Sequence, residues 1–284
     1  MPDEKASQPA STGLDRRQLV MAAAGMAVTA ASTPANAAVP SPEPLPAPPD
    51  SRPTVLVTGA NRGLGLEFVR LYTGRDWRVI ATARDPARAV ALQELATTYP
   101  ALHIEALDVA DHGQIDRLAA RYASHPVDVL INNAGIGGGG DNQVFGRLNY
   151  PVLDQVMAVN AAGPIKMCEA FLPHVRAGGL KKMITVSSSQ GSIASVQFPM
   201  LYWYRASKAA VNMLMANLAL QLRRQEIIVG LVTPGATDTD FMAGVNMPLR
   251  DPRVAAGDML RNIDRFTLEL SGTFFNYDGE VIPW

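Results

Sequence analysis

The stretch Thr54-Val55-Leu56-Val57-Thr58-Gly59-Ala60-Asn61-Arg62-Gly63-Leu64-Gly65 runs from a β-branched segment into a turn carrying three glycines, and a helical pattern over 63–72 follows. Strand, turn and helix arrive in the order of a βα unit whose turn lies against a dinucleotide. Glycine allows a tight turn and a close approach of backbone to a pyrophosphate, and the helix N-terminus adds free N–H groups and a partial positive charge. A glycine pattern alone is a weak signal; the elements on either side give this one weight.

Outward from that unit, short β-branched runs alternate with helical stretches. Strands are expected at 54–58, 78–83, 103–106, 127–132, 182–187, 227–233 and 272–276, and helices at 63–72, 87–97, 114–122, 150–176 and 203–225. The alternation predicts an α/β, doubly wound Rossmann fold: one domain over 54–284, a seven-stranded parallel sheet with helices on both faces. Ligands of such sheets bind beyond the carboxyl ends of the strands, where strand order reverses.

A formal net charge of −1 gives no electrostatic case for a nucleic-acid partner. The single cysteine, Cys168, cannot form an internal disulfide and reads as a small core residue. No metal site is expected. The first residues differ in character: Arg16-Arg17, an apolar run from Leu19 to about Ser32, then Ala35-Asn36-Ala37. That order predicts a Tat-type signal peptide over 1–38, whose apolar part is too short to span a bilayer comfortably, with cytoplasmic retention as the alternative to a periplasmic mature protein. Residues 39–53 are proline-crowded and predict an extended linker, leaving no membrane span in the mature chain.

Tyr204-Arg205-Ala206-Ser207-Lys208 sets a phenol and an ammonium four residues apart, on one helix face. An isolated tyrosine, with a pKa of about 10, is a poor base near neutrality. A neighbouring cation is expected to stabilise the phenolate and lower that value. Asn132-Asn133-Ala134-Gly135 ends the fourth strand, Asn160 lies in the helix that follows, and Ser187-Ser188-Ser189 ends the fifth.

Taken together, the G-x-x-x-G-x-G loop, Asn133, Asn160, the serines and Tyr204/Lys208 resemble the short-chain dehydrogenase/reductase family across the whole domain. The resemblance implies that Ser188 holds the substrate oxygen, Tyr204 exchanges the proton, and Lys208 grips the nicotinamide ribose and tunes Tyr204. Asn160 would anchor a water linking Lys208 to solvent. Gly59, Asn61, Arg62, Gly63, Leu64 and Gly65 would contact the cofactor, with Asp108 and Val109 at adenine, Asn133 behind its ribose and Thr239 near the carboxamide. Ser188 is preferred over its neighbours because 186–193 aligns with the family's S-S-x-x-G-S-I. Ala83 stands where the family places an acid that selects NAD, and Arg84 and Arg62 are expected to converge on a 2′-phosphate, so NADP(H) is preferred over NAD(H). Asp85 reads as the cap of the next helix ahead of Pro86.

The tail 275–284 and Met247-Pro248-Leu249 resemble the sniffer and C-factor branch of carbonyl reductases. That implies NADPH-dependent reduction of a small-molecule aldehyde or ketone. Alcohol oxidation, and a non-catalytic dinucleotide sensor on the same fold, are the alternatives. Trp203, Phe198, Met200 and Phe241 are candidate pocket walls. Helices 150–176 and 203–225 could pair across a homodimer.

Overall fold

A computed structural model describes residues 43–242 and 246–284. The signal-peptide reading and the first part of the linker, residues 1–42, lie outside the described residues. Seven strands form one sheet: β1 (Thr54–Val57), β2 (Arg78–Ala83), β3 (Leu102–Ala106), β4 (Val129–Asn132), β5 (Lys182–Val186), β6 (Ile228–Val232) and β7 (Phe274–Phe275). Their order is β3-β2-β1-β4-β5-β6-β7, and every pair is parallel. Strand order reverses between β1 and β4, where Val55 pairs Val129.

The pleat divides the core in two. Leu56, Ile80, Leu130 and Met183 face one helical layer, made by α3 (His112–Arg121), α5 (Gly163–Ala170) and α7 (Tyr202–Leu222). Val55, Val57, Ile131 and Ile184 face the other, made by α1 (Gly63–Thr73), α2 (Val90–Thr98) and α8 (Pro252–Arg265). Because both faces are covered, β1, β2, β4 and β5 are buried at every position. That is why they read as continuous apolar runs and not as alternating ones.

The expected helix over 150–176 is broken. It comprises α4 (Tyr150–Met157), a wide π turn (Ala158–Ala162), α5, and α6 (Leu172–Ala177). Pro164 has no N–H to give the Asn160 carbonyl four residues earlier, and the Gly163 N–H reaches back five residues to Ala158 instead. A second proline, Pro173, follows the non-helical Phe171. Helix α8 was absent from the expected elements. Its start was nonetheless encoded: the Asp251 side chain accepts from the Arg253 and Val254 N–H groups and Pro252 occupies the first turn.

The segment 43–53, expected as a free tether, has no regular structure but is tied to the domain. The Leu45 N–H donates to the Arg121 carbonyl at 2.8 Å, and Asp50 pairs with the nearly buried Arg78 at 2.6 Å. No described helix is long and apolar enough to cross a membrane. Cys168 is buried, as expected of a core residue, and burial pushes its thiol up to about 12.

Candidate active site

At the carboxyl end of β1, Gly59 has φ +65°, and a Cβ there would lie 2.9 Å from Ala134 Cα. A Cβ on Gly65 would lie 2.2 Å from the Gly59 carbonyl oxygen. Side chains therefore cannot be accommodated where the loop crosses the end of β4. The Asn133 amide fastens the crossing by donating to the Thr58 and Gly59 carbonyls at 2.9 and 3.1 Å, and Thr58 Oγ1 accepts from the Asn133 and Ala134 N–H groups. Arg62, at the N-cap of α1, supplies no capping side-chain acceptor, so the first-turn N–H groups face the loop unclaimed by a cap. This cradle fits an anionic pyrophosphate.

Beyond β2, Ala83 is buried, Arg84 is exposed, and the Asp85 carboxylate accepts from the Ala87 N–H at 3.1 Å as the expected cap. The two arginines are not on a common partner. Arg62 makes an ion pair with Asp240, while Arg84 has no hydrogen-bond or ion-pair partner among the described residues. Thr239 lies against Gly63, where an added Cβ would come within 3.3 Å of its methyl group. Past β3, Asp108 accepts from the Ala110 N–H at 2.9 Å, and the Val109 carbonyl sits against Gly163 at the start of α5. Asn61 is exposed and Leu64 half-buried on the same loop.

Tyr204 and Lys208 lie on one face of α7, both buried, with Lys208 Nζ 5.8 Å from the centroid of the Tyr204 ring. Nζ donates to the Val186 carbonyl at 3.0 Å. Ser188 caps the short turn Ser189–Gly191, its hydroxyl accepting from the Gln190 N–H at 3.2 Å, and it is near enough to the Tyr204 phenol to act on its ionisation. The other two serines are set apart: Ser187 donates to Asn212 at 2.6 Å, and Ser189 lies in the turn itself. The expected lowering of the Tyr204 pKa is not what the structure gives. Burial pushes it up to about 12, against a smaller lowering from nearby Ser188. Burial also draws Lys208 down to about 8. The ammonium is spent on a backbone carbonyl, so desolvation of the phenol prevails.

Asn160 sits in the π turn. Its Nδ2 donates to the Ile136 carbonyl at 2.8 Å and to Ser207 Oγ at 3.0 Å, and its Oδ1 accepts from the Ile136 N–H at 2.9 Å. Both side-chain donors are thus used within the protein. Its backbone carbonyl cannot be reached by a donor from Pro164. Among the proposed pocket walls, Phe241 meets the Tyr204 ring at 4.9 Å and Trp203 leans on Tyr150 at 5.3 Å. Phe198 and Met200 are exposed. Tyr202, on the rim, approaches Phe145.

Two contributions carry no motif and were missed. Gln143, buried, accepts from the Tyr204 N–H at 2.8 Å. The tail folds back along the loop after Ser188, where Ser192 donates to the Pro283 carbonyl at 2.6 Å and Trp284 stacks on Phe274.

Known proteins point the same way as this geometry. The sequence pattern described as short chain dehydrogenase matches residues 53–249. The C-signal protein of Myxococcus xanthus is 39% identical over 166 residues, 58% of this chain and 98% of that protein. The NADPH-bound carbonyl reductase from chicken fatty liver superposes with a TM-score of 0.76 at 32% identity, covering 82% of this chain and all of that one. The carbonyl reductase Sniffer of D. melanogaster does so with a TM-score of 0.77 at 28% identity and the same coverage.

Proposed function

The chain belongs to the short chain dehydrogenase family, and from that premise we propose that it is an NADPH-dependent reductase of a small-molecule aldehyde or ketone, with Tyr204 as proton donor. One observation carries the reading: a buried phenol and a buried ammonium share one helix face, Nζ 5.8 Å from the ring, with Ser188 at the carboxyl end of β5 and a glycine cradle at that of β1. When bound, the nicotinamide supplies the hydride. Ser188 Oγ and the Tyr204 phenol hold the substrate oxygen between them, and the phenol O–H bond breaks as its proton passes to the nascent alkoxide, a far stronger base than phenolate. Lys208, with two N–H groups left after Val186, would stabilise the phenolate and hold the nicotinamide ribose. A water on the Asn160 carbonyl returns the proton through Lys208. Alcohol oxidation would pass through the same transition state with Tyr204 as base, and the local cofactor ratio sets the direction.

The absence of an acid at Ala83 and an Arg84 with no partner among the described residues support NADPH over NADH, with Arg62 leaving Asp240 for the 2′-phosphate. Gly59, Gly63, Gly65, Asp108, Val109, Asn133 and Thr239 complete the cofactor's surroundings in this reading. The twin-arginine leader extends the proposal to a periplasmic protein that folds around its cofactor before export; fractionation that found only cytoplasmic chain with an intact N-terminus would remove that extension alone.

The test is NADPH and then NADH oxidation by the purified full chain across aldehydes, ketones and quinones. Turnover with preference for NADPH is expected. Tight NADPH binding with no turnover of any carbonyl would instead mark a dinucleotide sensor.

A further inference from the structure

We infer that Gln143 is a positioning residue for Tyr204, an external N-cap that sets the catalytic phenol by holding its backbone. The inference rests on the reading of Tyr204 as proton donor. Helix α7 begins without an acceptor of its own: its N-cap, Leu201, is apolar, stands at φ 50° and ψ 48°, and makes no side-chain cap. An N-cap side chain would ordinarily accept from the second or third helical N–H, and in α7 the third belongs to Tyr204. Left unpaired in a buried setting, that donor would cost stability and loosen the turn that carries the phenol.

Gln143, 61 residues away in sequence, supplies the missing acceptor: its Oε1 takes the Tyr204 N–H at 2.8 Å. The same amide spends its two N–H groups on the Gly137 and Gly139 carbonyls, at 2.8 and 3.0 Å. Only 2% of the residue is exposed, so water cannot replace these bonds. The other side of the Tyr204 peptide is held as well. Ser207 Oγ donates to the Tyr204 carbonyl at 2.7 Å and accepts from Asn160, which is bonded at both ends to Ile136. Two amides therefore clamp one tyrosine backbone, front and back, and both are anchored in the segment 136–139 that follows β4. A shift of that segment moves the phenol relative to Ser188, which follows β5, and small misplacements of a reacting group carry large rate costs.

Gln143→Met removes all three bonds while keeping an unbranched side chain. In the full chain it is expected to lower kcat at least tenfold on the carbonyl of the panel that is turned over fastest, with KM for that carbonyl and the Kd for NADPH within about threefold. Hydrogen exchange should show protection lost at the Tyr204 amide and kept at Val211 and Met215 in the same helix. Gln143→Glu keeps the shape but cannot offer two N–H groups to the glycine carbonyls, and it carries the test, with the same direction expected, if the methionine variant does not fold. An unchanged kcat in a background where Tyr204→Phe is inactive would overturn the positioning role. So would a kcat loss accompanied by lost NADPH binding and exchange throughout α7, which would mean general support of the fold. A Tyr204→Phe variant that kept its rate would instead bring down the reading of Tyr204 and this inference with it.

Discussion

The two ends of the sheet are built to different rules. At the amino end of the strands, a buried carboxylate fastens strand starts to one another. The Asp128 carboxylate accepts from the Thr54, Gly179 and Leu180 N–H groups at 2.7, 2.8 and 3.2 Å, so one side chain binds the starts of β1, β4 and β5. At the carboxyl end, burial is spent on groups that a stability argument would avoid: an ammonium drawn down to about 8 and a phenol pushed up to about 12. The amino end holds the strands together; the carboxyl end tolerates unfavourable burial where chemistry is to be done.

Substituting across that contrast should separate activity from stability. Lys208→Met removes a desolvated cation, so the account expects a loss of 10²-fold or more in kcat with a Tm unchanged or higher, read by steady-state kinetics and calorimetry on one preparation. The same residue sets a pH signature in the unsubstituted chain: kcat should fall as pH rises through about 8, where the ammonium is lost. Asp128→Ala is the converse. Orphaning the buried Thr54 N–H and the part-buried N–H groups of Gly179 and Leu180 should cost about 1–3 kcal/mol in denaturant unfolding, with kcat per folded molecule retained.

Smaller effects test the edges of the comparison. Arg84→Ala should cut the preference for NADPH over NADH by roughly tenfold, through Kd and not kcat, if the exposed guanidinium meets the 2′-phosphate. At the amino end, burial holds His103, His125 and His174 below the ordinary imidazole value, with Arg78 adding to this for the first two. Their unfolded forms bind protons first as pH falls, so stability present above about pH 6.5 should decline below it. Melting in steps from pH 7.5 to 5 checks this; a flat Tm would place these histidines outside the acid response.

What could be read from residues alone follows the same division. The strands were legible because β1, β2, β4 and β5 are apolar on both faces, and the glycine loop because only glycine survives at Gly59 and Gly65. Tyr204 and Lys208 were legible because helical spacing places them together. The break within 150–176 was not, since a π turn leaves the apolar period nearly intact, and Pro164, which determines it, also fits a helix's first turn. Gln143 was invisible for a different reason. It is a neutral side chain in a glycine-rich loop, and its importance lies in a backbone 61 residues away. The pKa of Tyr204 was misjudged because spacing reports a nearby charge and says nothing of desolvation.

The most direct test of the central claim is Tyr204→Phe in the full chain, with NADPH oxidation, NADPH binding and Tm measured together. A fall of about 10³-fold or more in kcat, with Kd within twofold and Tm unchanged or slightly raised, is the predicted result. A phenylalanine variant that reduces carbonyls at the original rate would contradict it.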